Sequence, residues 1–155
     1  RVPCILRWKG KVQPGVSNNL MSQLDWFASF AEMCGVQLPE GSAPDSESHL
    51  ASWLDSSKKG RVSLVEQNVQ NNLSITDGEW KYIPAANGPT MNKQTNTELG
   101  NNPKEDQLYN LVSDPGEQNN VVSENNELAK KMRAELIQII ERGEHYSTLK
   151  KVNKD

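Results

Sequence analysis

The stretch NLSITDGEWKYIP, residues 72–84, decides the fold that the sequence predicts. Apolar residues alternate with polar ones on both sides of the Asp77-Gly78 pair. An Asp-Gly pair between alternating segments is a strong signal for a β-hairpin, because glycine accepts the left-handed backbone of a tight turn. The segment therefore predicts two antiparallel strands joined at residues 77–78, with Trp80 and Tyr82 packed beneath a helix.

Further strand and helix patterns flank this hairpin. The segments VSLVEQN (62–68) and QLYNLVS (107–113) each predict a strand, and residues 85–106 predict a long polar loop. Apolar residues then recur at helical spacing near the end of the sequence: Leu128, Met132, Leu136 and Ile140. They predict a helix over about residues 125–142. We expect a small antiparallel β-sheet with this C-terminal helix packed on it.

The first part of the chain, up to about residue 57, has a different pattern. It opens with an apolar run over residues 2–6, which predicts a buried strand. Residues 18–34 carry apolar residues at helical spacing and predict an amphipathic helix that ends at Gly35. A strand at residues 2–6 needs neighbouring strands, and we expect these either further along the chain or in a part of the protein outside this sequence. The predicted fold class is therefore α+β, with a strand–helix segment ahead of the small sheet.

Composition and charge exclude several classes of function. The chain has 155 residues and a formal net charge of -3, so it lacks the basic character that nucleic acid or an anionic membrane would need. No apolar run approaches the roughly 20 residues of a membrane-spanning helix. Both cysteines, Cys4 and Cys34, lie at apolar positions, and we expect two buried free thiols.

Four segments resemble, in the same order, motifs of the type I sulfatases, a family that includes the arylsulfatases. They are RVPCILRWKGKVQPG (1–15), SQLDWFASFAEMCG (22–35), DGEWKYI (77–83) and QLYNLVSDPGEQNNV (107–121). The chain is similar to the C-terminal portion of such an enzyme. The resemblance implies that residues 1–57 end the α/β core of the alkaline-phosphatase-like superfamily. It also implies that residues 58–155 form the C-terminal sulfatase subdomain.

The resemblance further implies a sulfuric ester hydrolase acting on sulfated glycans, with calcium and formylglycine in the intact enzyme. The family makes formylglycine from the Cys or Ser of a C/S-x-P-x-R motif, and neither CILR at Cys4 nor CGVQL at Cys34 fits it. A calcium site needs several converging oxygen ligands, and no positions here match those of the family. We therefore expect no catalytic residue and no metal ligand in this chain, which alone would be inactive.

Substrate recognition is the role that remains for these residues. In the family the C-terminal subdomain borders the active-site cleft, and the segment EQNVQNN (66–72) lies at the end of a predicted strand. Carboxylates and carboxamides make directional hydrogen bonds to sugar hydroxyls. We therefore predict that Glu66, Gln67 and Asn68 bind the sulfated carbohydrate. The alternative interpretation of this segment is a solvated polar turn.

The resemblance also implies partners and a location. The partners are the N-terminal catalytic domain of the same protein and a sulfated carbohydrate, without nucleic acid or membrane, and the location is periplasmic or secreted. A second class of function stays open: a self-standing carbohydrate-binding or interaction module without enzymatic activity. The apolar run at residues 2–6 favours the sulfatase hypothesis, because a free module would not begin with a strand that lacks partners.

Overall fold

The computed structural model of the protein describes residues 3–68, 71–86, 91–94, 97–98, 102 and 104–152. The chain divides into two compact units between Val62 and Ser63. The first unit contains two helices, α1 (Asp25–Met33) and α2 (Leu50–Leu54). The second unit contains the β-strands and a long terminal helix, α3 (Asn126–Val152).

A four-stranded antiparallel sheet forms the centre of the second unit. The strands of this unit are β1 (Leu64–Gln67), β2 (Leu73–Thr76), β3 (Trp80–Ile83), β4 (Met91–Asn92), β5 (Thr97–Glu98) and β6 (Gln107–Asn110). The sheet has the spatial order β1-β2-β3-β6, and β4 pairs with β5 in a separate ladder. The β2–β3 turn confirms the predicted hairpin: Gly78 has φ 94° and Asp77 accepts the N–H of Trp80 at 2.7 Å. The prediction of an uninterrupted loop over residues 85–106 is wrong, because the segment contains the β4–β5 ladder. Residues 87–90, 95–96, 99–101 and 103 of this segment lie outside the described residues.

Strand alternation gives this sheet two different faces. The register places Ile75 beside Tyr82 and Tyr82 beside Leu108, and these side chains form the apolar face. The neighbouring positions along the strands form the opposite face, which we call the polar face: Leu64, Glu66, Ser74, Thr76, Lys81, Ile83, Gln107 and Tyr109. Most of these side chains are buried, and Glu66, on the edge strand β1, is exposed. Each face therefore follows from the period of two that a β-strand imposes on its side chains.

Helix α3 packs on the apolar face and completes the core. Six buried side chains form this core: Ile75, Tyr82, Leu108, Ala129, Met132 and Leu136. Complete burial of a large apolar side chain contributes about 1.5–3 kcal/mol. The predicted docking of the helix and the packing of Trp80 and Tyr82 against it are confirmed. The predicted end near residue 142 is wrong, because α3 continues through Gly143 to Val152. An interior glycine costs a helix only about 1 kcal/mol.

The first unit differs from the prediction in both of its elements. The strand predicted over residues 2–6 does not form in the described residues 3–6, where Ile5 is 93% exposed. A strand is stable only where its N–H and C=O groups find partners, and the described residues of this chain provide none for it. Helix α1 begins at Asp25 rather than at residue 18, because the preceding segment forms a turn in which the N–H of Asp25 donates to Ser22 O.

The buried side of α1 is polar rather than apolar. Asp25 and Ser29 are fully buried, whereas Phe27 of the predicted apolar stripe is 55% exposed. The cysteines are free as predicted, but Cys4 and Cys34 are exposed rather than buried. An apolar pattern leads to burial only where apolar partners exist, and the described residues of the first unit include no buried hydrophobic side chain.

Candidate functional site

The predicted substrate residues Glu66, Gln67 and Asn68 lie at the end of β1 and in the tight turn to β2. Backbone bonds close this turn: the N–H of Asn68 donates to Asn72 O, and the N–H of Asn71 donates to Asn68 O, both at 3.0 Å. Asn68 Oδ1 also accepts the N–H of Asn72 at 3.0 Å. Asn71 has φ 64°, a left-handed conformation that asparagine tolerates well. The turn is therefore held by its own asparagines.

Glu66 and Gln67 point to opposite faces of the sheet, because successive side chains alternate along a strand. Gln67 lies on the side of the apolar face, where its Nε2 donates to Asn71 Oδ1 at 3.0 Å. Glu66 lies on the polar face, where its carboxylate is 3.2 Å from Lys81 Nζ. The structure therefore brings Gln67 and Asn68 together around the turn and separates Glu66 from them.

A pocket of about 220 Å³ opens beside this turn. Asn71 and Asn72 supply polar groups to its lining, and Leu73, Leu136 and Ile140 supply an apolar wall. This volume lies below the roughly 300–1,000 Å³ of pockets for drug-sized ligands, so it suits a single small group. The sequence held no signal for this pocket, since two residues of its apolar wall, Leu136 and Ile140, lie on α3, more than sixty residues beyond the turn.

Asp106 fixes the segment after β3 that also lines the pocket. Its carboxylate accepts the Tyr82 hydroxyl at 2.5 Å and the N–H of Ala85 at 2.8 Å. Burial raises the pKa of Asp106. These hydrogen bonds and the charge of Arg133 together lower the pKa by more than burial raises it, so it lies below its usual value. Burial and the Asp106 carboxylate raise the pKa of Tyr82, which therefore stays protonated and acts as a hydrogen-bond donor. No pattern in the sequence singles out Asp106.

Lys81 lies on the polar face between the carboxylates of Glu66 and Glu117. We call these three residues the polar-face trio. Lys81 Nζ is 3.2 Å from Glu66 and 3.0 Å from Glu117. Burial lowers the pKa of Lys81, but the two carboxylates outweigh burial, so the pKa is raised and the ammonium stays charged. No local pattern in the sequence indicates that Lys81 and Glu117 meet, and neither residue was predicted as part of a site.

In the first unit, Arg61 and Asp25 form a buried ion pair. Arg61 Nε donates to Asp25 Oδ2 at 2.8 Å, and Arg61 Nη2 donates to Asp25 Oδ1 at 2.6 Å. The same carboxylate accepts the N–H groups of Ser22 and Glu47. Burial raises the pKa of Asp25, but Arg61 and these N–H groups lower it more, so the carboxyl stays ionised. Because four donors occupy this carboxylate, the pair is structural.

Neither a metal-binding cluster nor a membrane-spanning helix occurs among the described residues. That part of the chain contains no group of three or more His, Cys, Asp and Glu side chains that could hold a metal ion. Within the same residues, no helix has the length and apolar character needed to cross a membrane.

Comparison with known proteins gives a consistent set of relatives. No protein-family model matches the sequence. The chain is 41% identical over 140 residues to an N-acetylgalactosamine-6-O-sulfatase of Bacteroides thetaiotaomicron, and the match covers 90% of this chain and 27% of that protein. It is 30% identical over 145 residues to an ulvan-active sulfatase of Formosa agariphila, covering 79% of this chain and 29% of that protein.

The fold gives the same result. A solved sulfatase structure connected with the metabolism of multiple glycosaminoglycans by Bacteroides thetaiotaomicron matches with a TM-score of 0.80 and 40% identity. That match covers 86% of this chain and 28% of the other. The chain thus spans less than a third of the length of the relatives that it matches. In both sequence and α+β fold, this chain is similar to the C-terminal portion of these sulfatases.

Proposed function

We propose that this chain belongs to a sulfatase that hydrolyses sulfate esters of glycans, and that it helps to bind the glycan. The observation that carries the proposal is the 41% identity, across 90% of this chain, to an N-acetylgalactosamine-6-O-sulfatase. The ulvan-active relative supports the same broad substrate class. Within the chain, we assign contact with the sugar to Gln67 and Asn68 at the turn and to Glu66 on the other face of the edge strand β1.

The proposal divides the work between this chain and the rest of the enzyme. Residues 1–57 end the α/β core, and residues 58–155 form the C-terminal subdomain beside the N-terminal catalytic domain, their partner in the same protein. Calcium and formylglycine belong to that catalytic domain. The residues of this chain do not fit them: Cys4 and Cys34 lack the C-x-P-x-R motif, and the described residues offer no metal-binding cluster. The intact enzyme is periplasmic or secreted.

The turn between β1 and β2 has the chemistry that sugar recognition needs. A carboxamide offers a donor and an acceptor together, which suits hydroxyl groups. Gln67 and Asn71 hold each other at 3.0 Å, so a sugar meets a preformed pair rather than two mobile side chains. Ordering before binding lowers the entropy lost on binding. The adjacent pocket offers apolar contact to the face of one sugar unit.

The test replaces Gln67 with Ala in the full-length sulfatase and compares a sulfated glycan with a small aryl sulfate. One hydrogen bond is worth about 0.5–1.5 kcal/mol, so kcat/KM for the glycan should fall roughly two- to tenfold. The aryl sulfate has no sugar to bind, and its kcat/KM should not change. Gln138→Ala, an exposed carboxamide on α3, is the matched control.

Two results would contradict this assignment. Unchanged kcat/KM for the glycan in both Gln67→Ala and Asn68→Ala would show that the segment is a solvated polar turn. Equal losses on the glycan and the aryl sulfate would show that the substitution damages folding rather than sugar binding.

A further inference from the structure

We propose that the polar-face trio makes this sulfatase discriminate against a second sulfate group on the sugar that it binds. The inference rests on the proposed function, since it takes the Glu66 carboxylate to face the bound glycan. It goes further by naming the charge pattern that the enzyme accepts at that position. Glu66 is the specificity-determining group, and Lys81 is the residue that positions it.

Lys81 reaches Glu66 across an intervening strand. Lys81 lies on β3 and Glu66 on β1, with β2 between them, a distance of roughly 9–10 Å at the usual strand spacing. The β2 residues on this face, Ser74 and Thr76, are small and leave room for the extended lysine chain. The ion pair therefore fixes the Glu66 carboxylate on the edge strand relative to the centre of the sheet.

The charges of the trio are arranged unequally with respect to solvent. Two carboxylates and one ammonium leave a net charge of about -1 at neutral pH. The Lys81 side chain is 18% exposed, whereas that of Glu66 is 48% exposed. The cation is thus covered, and the group that an incoming ligand meets first is a carboxylate.

A carboxylate presented in this way accepts hydrogen bonds from sugar hydroxyls and repels a sulfate ester. Repulsion of the wrong ligand is a common source of specificity, because it adds to whatever the correct ligand gains. Lys81 does not cancel this repulsion, since Glu117 occupies its other side at 3.0 Å. The favoured substrate is therefore a sugar unit with a free hydroxyl beside Glu66, a monosulfated rather than a disulfated unit.

The test measures kcat/KM of the full-length sulfatase for a monosulfated disaccharide and for the disulfated form of the same disaccharide. At a separation of about 6–8 Å and a dielectric constant of about 40–80, one unit charge changes the interaction with a sulfate roughly two- to tenfold. Glu66→Gln should raise the ratio of kcat/KM for the disulfated disaccharide to kcat/KM for the monosulfated one by that factor. Lys81→Met should lower it by a similar factor, because the net charge becomes more negative.

Controls separate charge from folding. Glu79→Gln removes the same charge from the exposed β2–β3 turn and should leave the ratio unchanged. Lys81→Arg keeps the charge and should preserve the ratio. Added salt should reduce the effects of Glu66→Gln and Lys81→Met, since exposed charges are screened. If Lys81→Met does not fold, the ratio in Glu66→Gln decides the question.

The outcomes distinguish this inference from the proposed function. If Glu66→Gln lowers kcat/KM for both disaccharides by the same factor, Glu66 binds the sugar, and only the charge discrimination is refuted. If Glu66→Gln and Gln67→Ala leave all rates unchanged, the placement of the turn against the glycan is wrong, and the inference fails with it. If Gln67→Ala lowers kcat/KM for the glycan but Glu66→Gln leaves the disulfated-to-monosulfated ratio unchanged, the inference is refuted and the proposed function stands.

Discussion

Replacing Arg61 with Met tests the buried ion pair of the first unit. The substitution leaves Asp25, which is fully buried, with two backbone N–H donors and no opposite charge. Removing one partner of a buried ion pair typically costs about 3–5 kcal/mol, because the remaining charge stays buried without compensation. The variant also loses the contacts of Arg61 with Glu47 and with Asp45 O. We therefore expect a loss of about 3–5 kcal/mol in the local stability of this unit.

Hydrogen exchange of the backbone N–H groups of Ser22 and Glu47 is the appropriate assay, because both donate to the Asp25 carboxylate. Native-state exchange reports the free energy of local opening in a protein of any length. A loss of about 3–5 kcal/mol should lower the protection of these two groups by roughly two to four orders of magnitude. Lys59→Met removes an exposed positive charge nearby and should leave the protection unchanged.

The pH dependence of this effect has a definite sign. The folded-state pKa of Asp25 lies below its usual value of 3.8, so the carboxylate stabilises the folded state above that value. This contribution is lost as the pH falls through the folded-state pKa. In Arg61→Met, burial without the cation raises the pKa of Asp25, so the deficit should shrink as the pH falls and Asp25 binds a proton. Equal protection in both proteins at pH 7, or a deficit that does not shrink toward acid pH, would refute the reasoning.

Two further predictions concern the second unit. Leu136 is 2% exposed and Ile137 is 44% exposed. Leu136→Ala should therefore lower the free energy of unfolding by about 2–5 kcal/mol and lower the denaturation midpoint. Ile137→Ala, the control, should change both quantities little. Equal effects of the two would show that α3 is not docked as described. Tyr82→Phe removes the donor to ionised Asp106 and should cost about 1.5–3 kcal/mol in urea unfolding at pH 7. Because the folded-state pKa of Asp106 is lowered, this difference should diminish as the pH falls through that pKa, and a constant difference would argue against the bond.

The sequence alone determined most of the second unit, because its signals are local. The Asp77-Gly78 turn and the alternation around it specify a hairpin within about a dozen residues. The helical spacing of Met132 and Leu136 specifies one apolar face, and such a face packs on the nearest apolar sheet face. The same short motifs carried the resemblance to sulfatases, which the relatives then confirmed.

The first unit depended on contacts that no local pattern shows. The apolar run at residues 2–6 indicates what could be buried, but burial requires partners that lie elsewhere. Asp25 is buried because Arg61, distant in sequence, reaches it with two hydrogen bonds. A polar residue on a helix cannot be assigned to the interior until its partner is known.

The candidate site shows the same division between sequence and tertiary structure. The polar end of β1 is visible in the sequence, but the sequence does not show that its three residues point in different directions. Alternation along the strand separates Glu66 from Gln67, and strand order brings Lys81 to Glu66 across β2. Glu117 contacts Lys81 and Asp106 contacts Tyr82, and both partners lie on β3. These contacts depend on where β6 begins and ends and on its register with β3. Register and strand order are properties of the assembled sheet, and for that reason only the tertiary structure decided which charges meet.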